Sequence, residues 1–295
     1  MLDIEQLKAL HAAVDEGTFD AAARKLHITP SAVSQRIKAL EVSVGRVLVQ
    51  RTKPIRVTDS GREVLRLARQ IDALSQDVVR ELGLSEADGE MARISIAVNA
   101  DSLSTWVLRV LATFATEVSF DFHLDDQDHT TELLRDGSVM AAITSVATPI
   151  QGCTSSLLGI MRYRPMASAS FCERWFSDGV TAEALSKAPV VVFNRKDLLQ
   201  DRYLGRKLGQ LVDPPRHFVP ATADFSDAVR LGYGWGLLPD LQSLETPGAL
   251  VGFDPEYVDD VPLYWQQWKL SSSILARISQ AVAARAKELL HQSSP

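Results

Sequence analysis

Apolar residues Ile4, Leu7, Leu10 and Val14 recur in steps of three and four, so the chain opens with an amphipathic helix that Gly17 ends. Thr18 is placed to cap a short second helix from Phe19 to Leu26, in which the small residues Ala21 to Ala23 permit close helix packing. A third helix starts at Thr29 and Pro30, because Thr accepts an orphan N–H and Pro has none to lose at the first helical position. Within it Val33, Ile37, Leu40 and Val44 face the core, while Ser31, Ser34, Gln35 and Lys38 share the opposite side. That polar side is small, flat and able to hydrogen-bond. A turn at Lys53-Pro54 follows. Beyond Thr58, a further cap, Val64, Leu67, Ile71, Leu74 and Val78 alternate in steps of three and four, the pattern of a coiled-coil seam. Fewer than three heptads are present, so a single helix lying on its own domain is the other reading. Gly83 to Gly89 reads as a hinge.

From Arg93 the pattern changes to alternating strand-like and helical runs. Strands are expected at Ile94 to Val98, Phe120 to Leu124 and Val139 to Thr144, with helices at Leu103 to Ala115 and Thr130 to Asp136 between them. A second set has strands near Tyr163 to Ala167, Pro189 to Phe193, His217 to Pro220 and Trp235 to Leu238, and a final amphipathic helix from Ile274 to Leu290. Such alternation predicts an α/β domain with a largely parallel sheet.

Charge gives the first part a partner. Between Arg24 and Arg56 stand eight Lys or Arg and one acid, Glu41, in a chain whose net charge is −6. Residues 1 to 58 carry nine Lys/Arg against six Asp/Glu, so the remaining 237 hold 22 against 31. A basic helix and turn in an acidic protein point to nucleic-acid phosphate; an ordinary solvated face is the bland alternative. The 295 residues, 46% hydrophobic and 23% charged, are enough for a small domain plus a larger one. Cys153 and Cys172 lie outside any CxxC spacing and the six histidines show no paired ligand spacing, so neither a disulfide framework nor a metal or other cofactor is expected. A reducing cytoplasm fits, and the absence of an apolar run of ~18 residues argues against membrane insertion. GYGWG (232 to 236) lacks the spacing of a dinucleotide loop and reads as a tight turn into a strand closed by Pro239. No nucleophile elbow, HExxH or P-loop is present, so the chain is not expected to be an enzyme, although an α/β fold alone never excludes chemistry.

Residues 18 to 61 resemble the LysR-type transcriptional regulators, whose pattern is matched at Phe19, Ala22, Ala23, Leu26, Ser34, Ile37, Leu40, Glu41, Gly45, Leu48, Arg51, Thr58 and Gly61. Val49 departs from it, standing where the family usually has Phe; the smaller residue is expected to alter wing packing and leave binding intact. By length and layout the resemblance covers the whole chain. More narrowly, NADSLSTW (99 to 106), DDQDH (125 to 129), KAPVVVFN (187 to 194) and PLYWQQWK (262 to 269) resemble the LysG/ArgP subfamily, sensors of lysine and arginine that activate a basic amino acid exporter. The resemblance implies an all-α winged helix-turn-helix over 1–58, a linker and dimerisation helix with hinge over 59–88, and a periplasmic-binding-protein-like α/β effector domain over 89–295. Lobe I would take about 92–162 and 266–295, lobe II about 163–265, with the effector between them. It further implies a homodimer or homotetramer on a promoter dyad, with RNA polymerase as a possible further partner.

In that frame Thr29, Ser34 and Gln35 are expected at base edges beside Pro30 and Ser31, and Lys38, Arg51 and Lys53 mostly at phosphates. Ligands of open α/β sheets sit beyond the carboxyl ends of strands. Asn99, Asp101, Ser102 and Thr105 follow the first strand of lobe I, where Ser102 would help bind a ligand carboxylate; Thr222, Asp224 and Ser226 stand in the same relation in lobe II. Simple helix capping is the alternative for each. Asp125, Asp126 and Asp128 follow the second strand and are the preferred partners for a ligand ammonium or guanidinium; a solvated acidic loop and a divalent-ion site stay open, although DDQD lacks the Gly and distal Glu of a calcium loop. Trp106 and Trp265 could close over an aliphatic stem or belong to the core. The rival from another class is an architectural or replication-control protein that bends DNA with little effector dependence.

Overall fold

The computed structural model describes residues 2–82, 91–124, 127–209, 212–243 and 250–292. The expected hinge, Asp125 and Asp126 lie outside the described residues. The N-terminal head packs α1 (Ile4–Asp15), α2 (Phe19–Lys25) and α3 (Pro30–Val44) around Leu7, Leu10, Val33, Ile37 and Leu40, all buried. Ile4 departs from the expected stripe and is 54% exposed. The caps form as anticipated, with Thr18 Oγ1 accepting from Ala21 N and Thr29 Oγ1 from Ala32 N, each at 3.2 Å. Gly45 then ends α3 in the left-handed conformation, φ 72°.

A two-stranded wing follows, β1 (Val49–Gln50) paired antiparallel with β2 (Arg56–Val57) and turning through the cis Lys53-Pro54 bond. Glu41, the one acid of the basic stretch, anchors it: Oε1 accepts from the N–H of Leu48 at 2.8 Å and of Val49 at 3.4 Å. Thr58 ties the wing to the next helix by donating to Val47 O and accepting from Gly61 N. At Gly61 a Cβ would stand 2.0 Å from Leu48 O, so only glycine permits the close approach.

The linker helix α4 (Asp59–Glu81) has 23 residues, about 34 Å at 1.5 Å per residue. The apolar positions of the expected seam divide between two environments. Leu65 and Ala68 join the head core, with Val64 and Ile71 packed against it, while Leu67, Val78, Val79 and Leu82 are exposed. Two different neighbours take its faces, which one heptad pattern cannot show. Arg69 links both: Nη2 donates to Asp15 Oδ1 of α1 at 2.5 Å, and Nη1 to Asp136 O and Ser138 Oγ of the effector domain at 3.2 Å. Burial alone would raise the Asp15 carboxyl, yet hydrogen bonds and charge from His11 and Arg69 together hold it well below the usual carboxylate range. Arg66 adds a bond from Nη1 to Gln151 O at 3.2 Å.

In lobe I, β3 (Ala92–Val98) leads into a helical segment made of α5 (Ala100–Ser102), a wide π-turn (Leu103–Val107), α6 (Leu108–Leu111) and a 3-10 turn (Ala112–Phe114). Next come β4 (Val118–Leu124), α7 (Gln127–Asp136) and β5 (Ala141–Thr144), with β3 parallel to both β4 and β5. The expected strand Tyr163 to Ala167 is the tail of a longer one, β6 (Cys153–Ala167), whose first half lacks regular alternation and so gave no strand signal.

Lobe II holds α8 (Ala169–Trp175), α9 (Ala182–Lys187), β7 (Val190–Val192), α10 (Leu199–Leu208), β8 (Arg216–Phe218), α11 (Thr222–Arg230), β9 (Gly236–Pro239), α12 (Asp240–Ser243) and β10 (Val251–Gly252). β7 and β8 pair in parallel, and Gly232 (φ 83°) makes the turn that leads through buried Trp235 into β9, as GYGWG suggests. The chain returns through β11 (Asp259–Trp268) to α13 (Ser273–Leu289). β11 runs antiparallel to β6 from Asp259↔Tyr163 to Trp268↔Cys153, and antiparallel to β5. The sheet is therefore mixed, with two long crossing strands side by side between the lobes, instead of largely parallel.

Candidate DNA interface and effector cleft

Sealing Val33, Ile37 and Leu40 into the head turns the other side of α3 outward. Thr29, Pro30, Ser31, Gln35 and Lys38 are exposed and Ser34 is half-buried. Thr29 Oγ1 lies 3.0 Å from Ser31 Oγ, so these two hydroxyls organise the start of the helix. Arg51 and Lys53 project from the wing, with the Arg51 guanidinium 5.8 Å from the Phe19 ring centroid. Polar and basic groups thus form one surface at a helix start and a wing, the shape that enters a major groove while flanking cations meet phosphates.

The second site forms where β3 and β4 end. Their register, Val98↔Leu124, puts Asn99 at the same sheet edge as the start of the acidic loop. Asn99 caps α5, Oδ1 accepting from Ser102 N at 2.7 Å, and Thr105 Oγ1 donates to Asp101 O at 2.6 Å. Ser102 is fully buried and its Oγ has no hydrogen-bond partner among the described residues. The Asp101 carboxylate accepts from the Tyr163 hydroxyl at 2.7 Å. Burial raises the Asp101 carboxyl, the Tyr163 bond opposes this, and the negative charge of Asp197 adds to the rise. Burial, then the charge of Asp101, pushes the Tyr163 hydroxyl well above its ordinary value, so it stays a donor.

In lobe II, Val192 and Phe218 end β7 and β8. There an open groove of about 610 Å³ is lined by Asn194, Arg195 and Asp197 among others. Asp197 organises the loop by accepting from Phe193 N at 3.2 Å and Leu199 N at 3.0 Å. Thr222 is half-buried at the start of α11 and its carbonyl accepts from Gln242; Asp224 is exposed and Ser226 half-buried. Asp128 falls in α7. Trp106 is buried. Trp265 is buried as well, its indole N–H shared between Gln267 Oε1 (2.8 Å) and Ser279 Oγ (3.1 Å), so its polar edge is turned to α13. Neither Tyr163 nor Asp197 was a candidate site residue from the sequence. An acid just after a strand was the available sign for Asp197; for Tyr163 there was none.

A polar recognition helix and basic wing, joined through one helix to two α/β lobes around an acid-bearing cleft, define a ligand-responsive DNA-binding transcriptional regulator. Comparison with known proteins narrows the class. The chain belongs to the LysR family: residues 4–62 match the family described as "Bacterial regulatory helix-turn-helix protein, lysR family", and 87–283 the "LysR substrate binding domain". It is 47% identical over 290 residues to the "HTH-type transcriptional regulator LysG" of Mycobacterium bovis, covering 98% of this chain and 95% of the relative. The crystal structure of ArgP from Mycobacterium tuberculosis superposes with a TM-score of 0.90 at 46% identity, over 99% of this chain and 100% of that one. Full-length LysG from Corynebacterium glutamicum with bound effector Arg gives 0.81 at 39% identity, over 98% and 99%. These relatives are regulators and not enzymes, as is this chain.

Proposed function

We propose that this regulator senses lysine or arginine in the cleft and, as a homodimer or a tetramer of two such pairs, activates a gene for basic amino acid export. Residues 1–58 form the reading head, 59–88 the linker and hinge, and 89–295 the effector domain. Gln35, Ser34 and Thr29 meet base edges, Pro30 and Ser31 lie at the entering end of α3, and Lys38, Arg51 and Lys53 meet phosphates. Asn99, Ser102, Thr105 and Thr222 bind the effector's polar groups, beside the acids Asp101, Asp125, Asp126 and Asp128. The observation that carries this reading is the exposed polar face of α3 set beside the wing cations.

The head is tested by capturing genomic DNA with the purified protein, then measuring anisotropy on a recovered and a scrambled site, with and without arginine or lysine. Gln35→Ala should relax discrimination at one base pair by about 1–3 kcal/mol, whereas Lys38→Ala should weaken all sites alike and reduce the salt slope by about one. Unchanged discrimination in Gln35→Ala refutes the recognition-helix assignment. Occupancy and DNA bending indifferent to both amino acids refute the sensing assignment and favour an architectural role.

A further inference from the structure

The tail that follows α13 closes on the strands that join the lobes. His291 forms an antiparallel bridge to Ile160 of β6, Ile160 N donating to His291 O at 2.8 Å and His291 N to Ile160 O at 3.0 Å. This is the place where β6 and β11 slip in register: Leu263 faces Gly159 and Tyr264 faces Leu157, so Leu158 has no opposite residue on β11. Gln292 Nε2 donates to the carbonyl of that extra residue at 3.4 Å and to Leu290 O at 3.0 Å. Gly159 lies so close under the tail that a Cβ would stand 2.7 Å from Leu290 Cβ and 3.1 Å from His291 O. The side chain of His291 then crosses to lobe II, where its Nε2 lies 3.3 Å from Asp240 Oδ2. Arg164 Nε donates to the other oxygen of that carboxylate at 2.9 Å and so fixes it to β6. At its other end the tail is held by α13, which is fastened to lobe I: Arg277 bonds Glu117 at 2.8 and 3.0 Å, and its guanidinium lies 5.4 Å from the Phe114 ring centroid.

A β-bulge is where a strand pair bends most easily, because one residue is left out of the ladder. Here the tail supplies bonds at that gap and is anchored on both sides of it, in lobe I by α13 and in lobe II by Asp240. A segment tied to lobe I alone would ride with it, whereas one tied across the gap resists a change in the angle between the lobes. We propose that residues 290–292 are a strap over the interlobe hinge, which fixes how far the cleft stands open before a ligand arrives. The strap has a strong end and a weak one. Two backbone bonds hold it to β6, while its grip on lobe II is the contact of His291 with Asp240, 44% and 24% exposed, a kind of pair that water weakens. Closure of the cleft therefore releases the His291 end and leaves the bridge at Ile160 in place, with no unfolding of α13.

The test is the distance between the lobes in the ligand-free, full-length protein. Double electron–electron resonance reads it between nitroxides carried by Thr116→Cys of lobe I and Asp178→Cys of lobe II, both exposed positions, in a Cys172→Ser background diluted with unlabelled protein. The unaltered tail should give a narrow distribution, and truncation after Leu290 one about twice as wide or more, as expected of a freed hinge. Truncation after Gln292 keeps the strap and should change nothing. His291→Ala, which keeps the backbone bridge, should widen the distribution part of the way, and His291→Gln, whose amide can still donate to Asp240, should restore it. A His291→Ala distribution as narrow as that of the unaltered tail overturns the proposal, whatever that variant does to thermal stability, because the tail then only anchors α13. An unchanged width after truncation at Leu290 overturns it as well. Should that truncation fail to fold, His291→Ala and His291→Gln decide. No ligand enters the measurement, so its outcome is independent of which effector the cleft takes.

Discussion

Replacing Arg69 with Met keeps most of the aliphatic stem and deletes the charge that holds three parts of the molecule together. The side chains concerned are largely shielded, Arg69 at 14% and Asp15 at 29% exposure, so a charge-assisted bond between them is worth about 1.5–3 kcal/mol. The bonds to Asp136 O and Ser138 Oγ add about 1–2 kcal/mol. His11, 2.8 Å from Asp15, remains and softens the loss. The expected net cost is about 2–4 kcal/mol, read as a lower urea midpoint for the full-length protein. A double-mutant cycle with Asp15→Asn should return a coupling of about 1–2 kcal/mol, and one with Ser138→Ala a smaller value. Hydrogen exchange should show α1 and α7 loosening from α4 together. Coupling within about 0.5 kcal/mol of zero in both cycles would refute the idea that this guanidinium joins head to effector domain.

Two further expectations follow from geometry and charge. Gly61→Ala places a methyl on the Leu48 carbonyl, which no rotamer relieves, so the head should lose about 3 kcal/mol or more; wild-type thermal stability in that variant would contradict the close approach. Asp101, whose folded pKa is raised, contributes stability at low pH that is lost as pH rises through that value, while Asp15, whose folded pKa is lowered, contributes above its unfolded value and loses it on strong acidification. Acid unfolding of the full-length protein should show both contributions, with Asp15→Asn removing the loss on strong acidification.

The head was readable because its burial is local: each of Val33, Ile37 and Leu40 faces the same core, and caps such as Thr18 and Thr29 mark the helix ends. Along α4 the apolar steps were visible but not how its sides are shared: Leu65 and Ala68 carry the head contact and Arg69 the effector contact. In the crossing strands, Cys153 to Gly159 pair along β11 in a mixed environment, so no two-residue rhythm develops. Asn99, Asp101 and Ser102 were visible as strand-end residues, whereas the bond from Tyr163 to Asp101 joins chain positions 62 residues apart and leaves no trace in spacing. Trp265 shows the reverse: a plausible ligand cover by sequence, it spends its indole N–H on Gln267 and Ser279.

The long pairing of β6 with β11, from Asp259↔Tyr163 to Trp268↔Cys153, bears on how motion can be passed along. Lobe II cannot swing as if on a loose string, because both strands reaching it are bonded to each other as a ribbon. Rotation must be absorbed as added twist, most readily where the register shifts between Leu263 and Tyr264, opposite Gly159 with its φ of 145°. A ribbon of this kind carries twist in both strands together, so a change at its lobe II end reaches lobe I, to which the linker helix is bonded through Arg69.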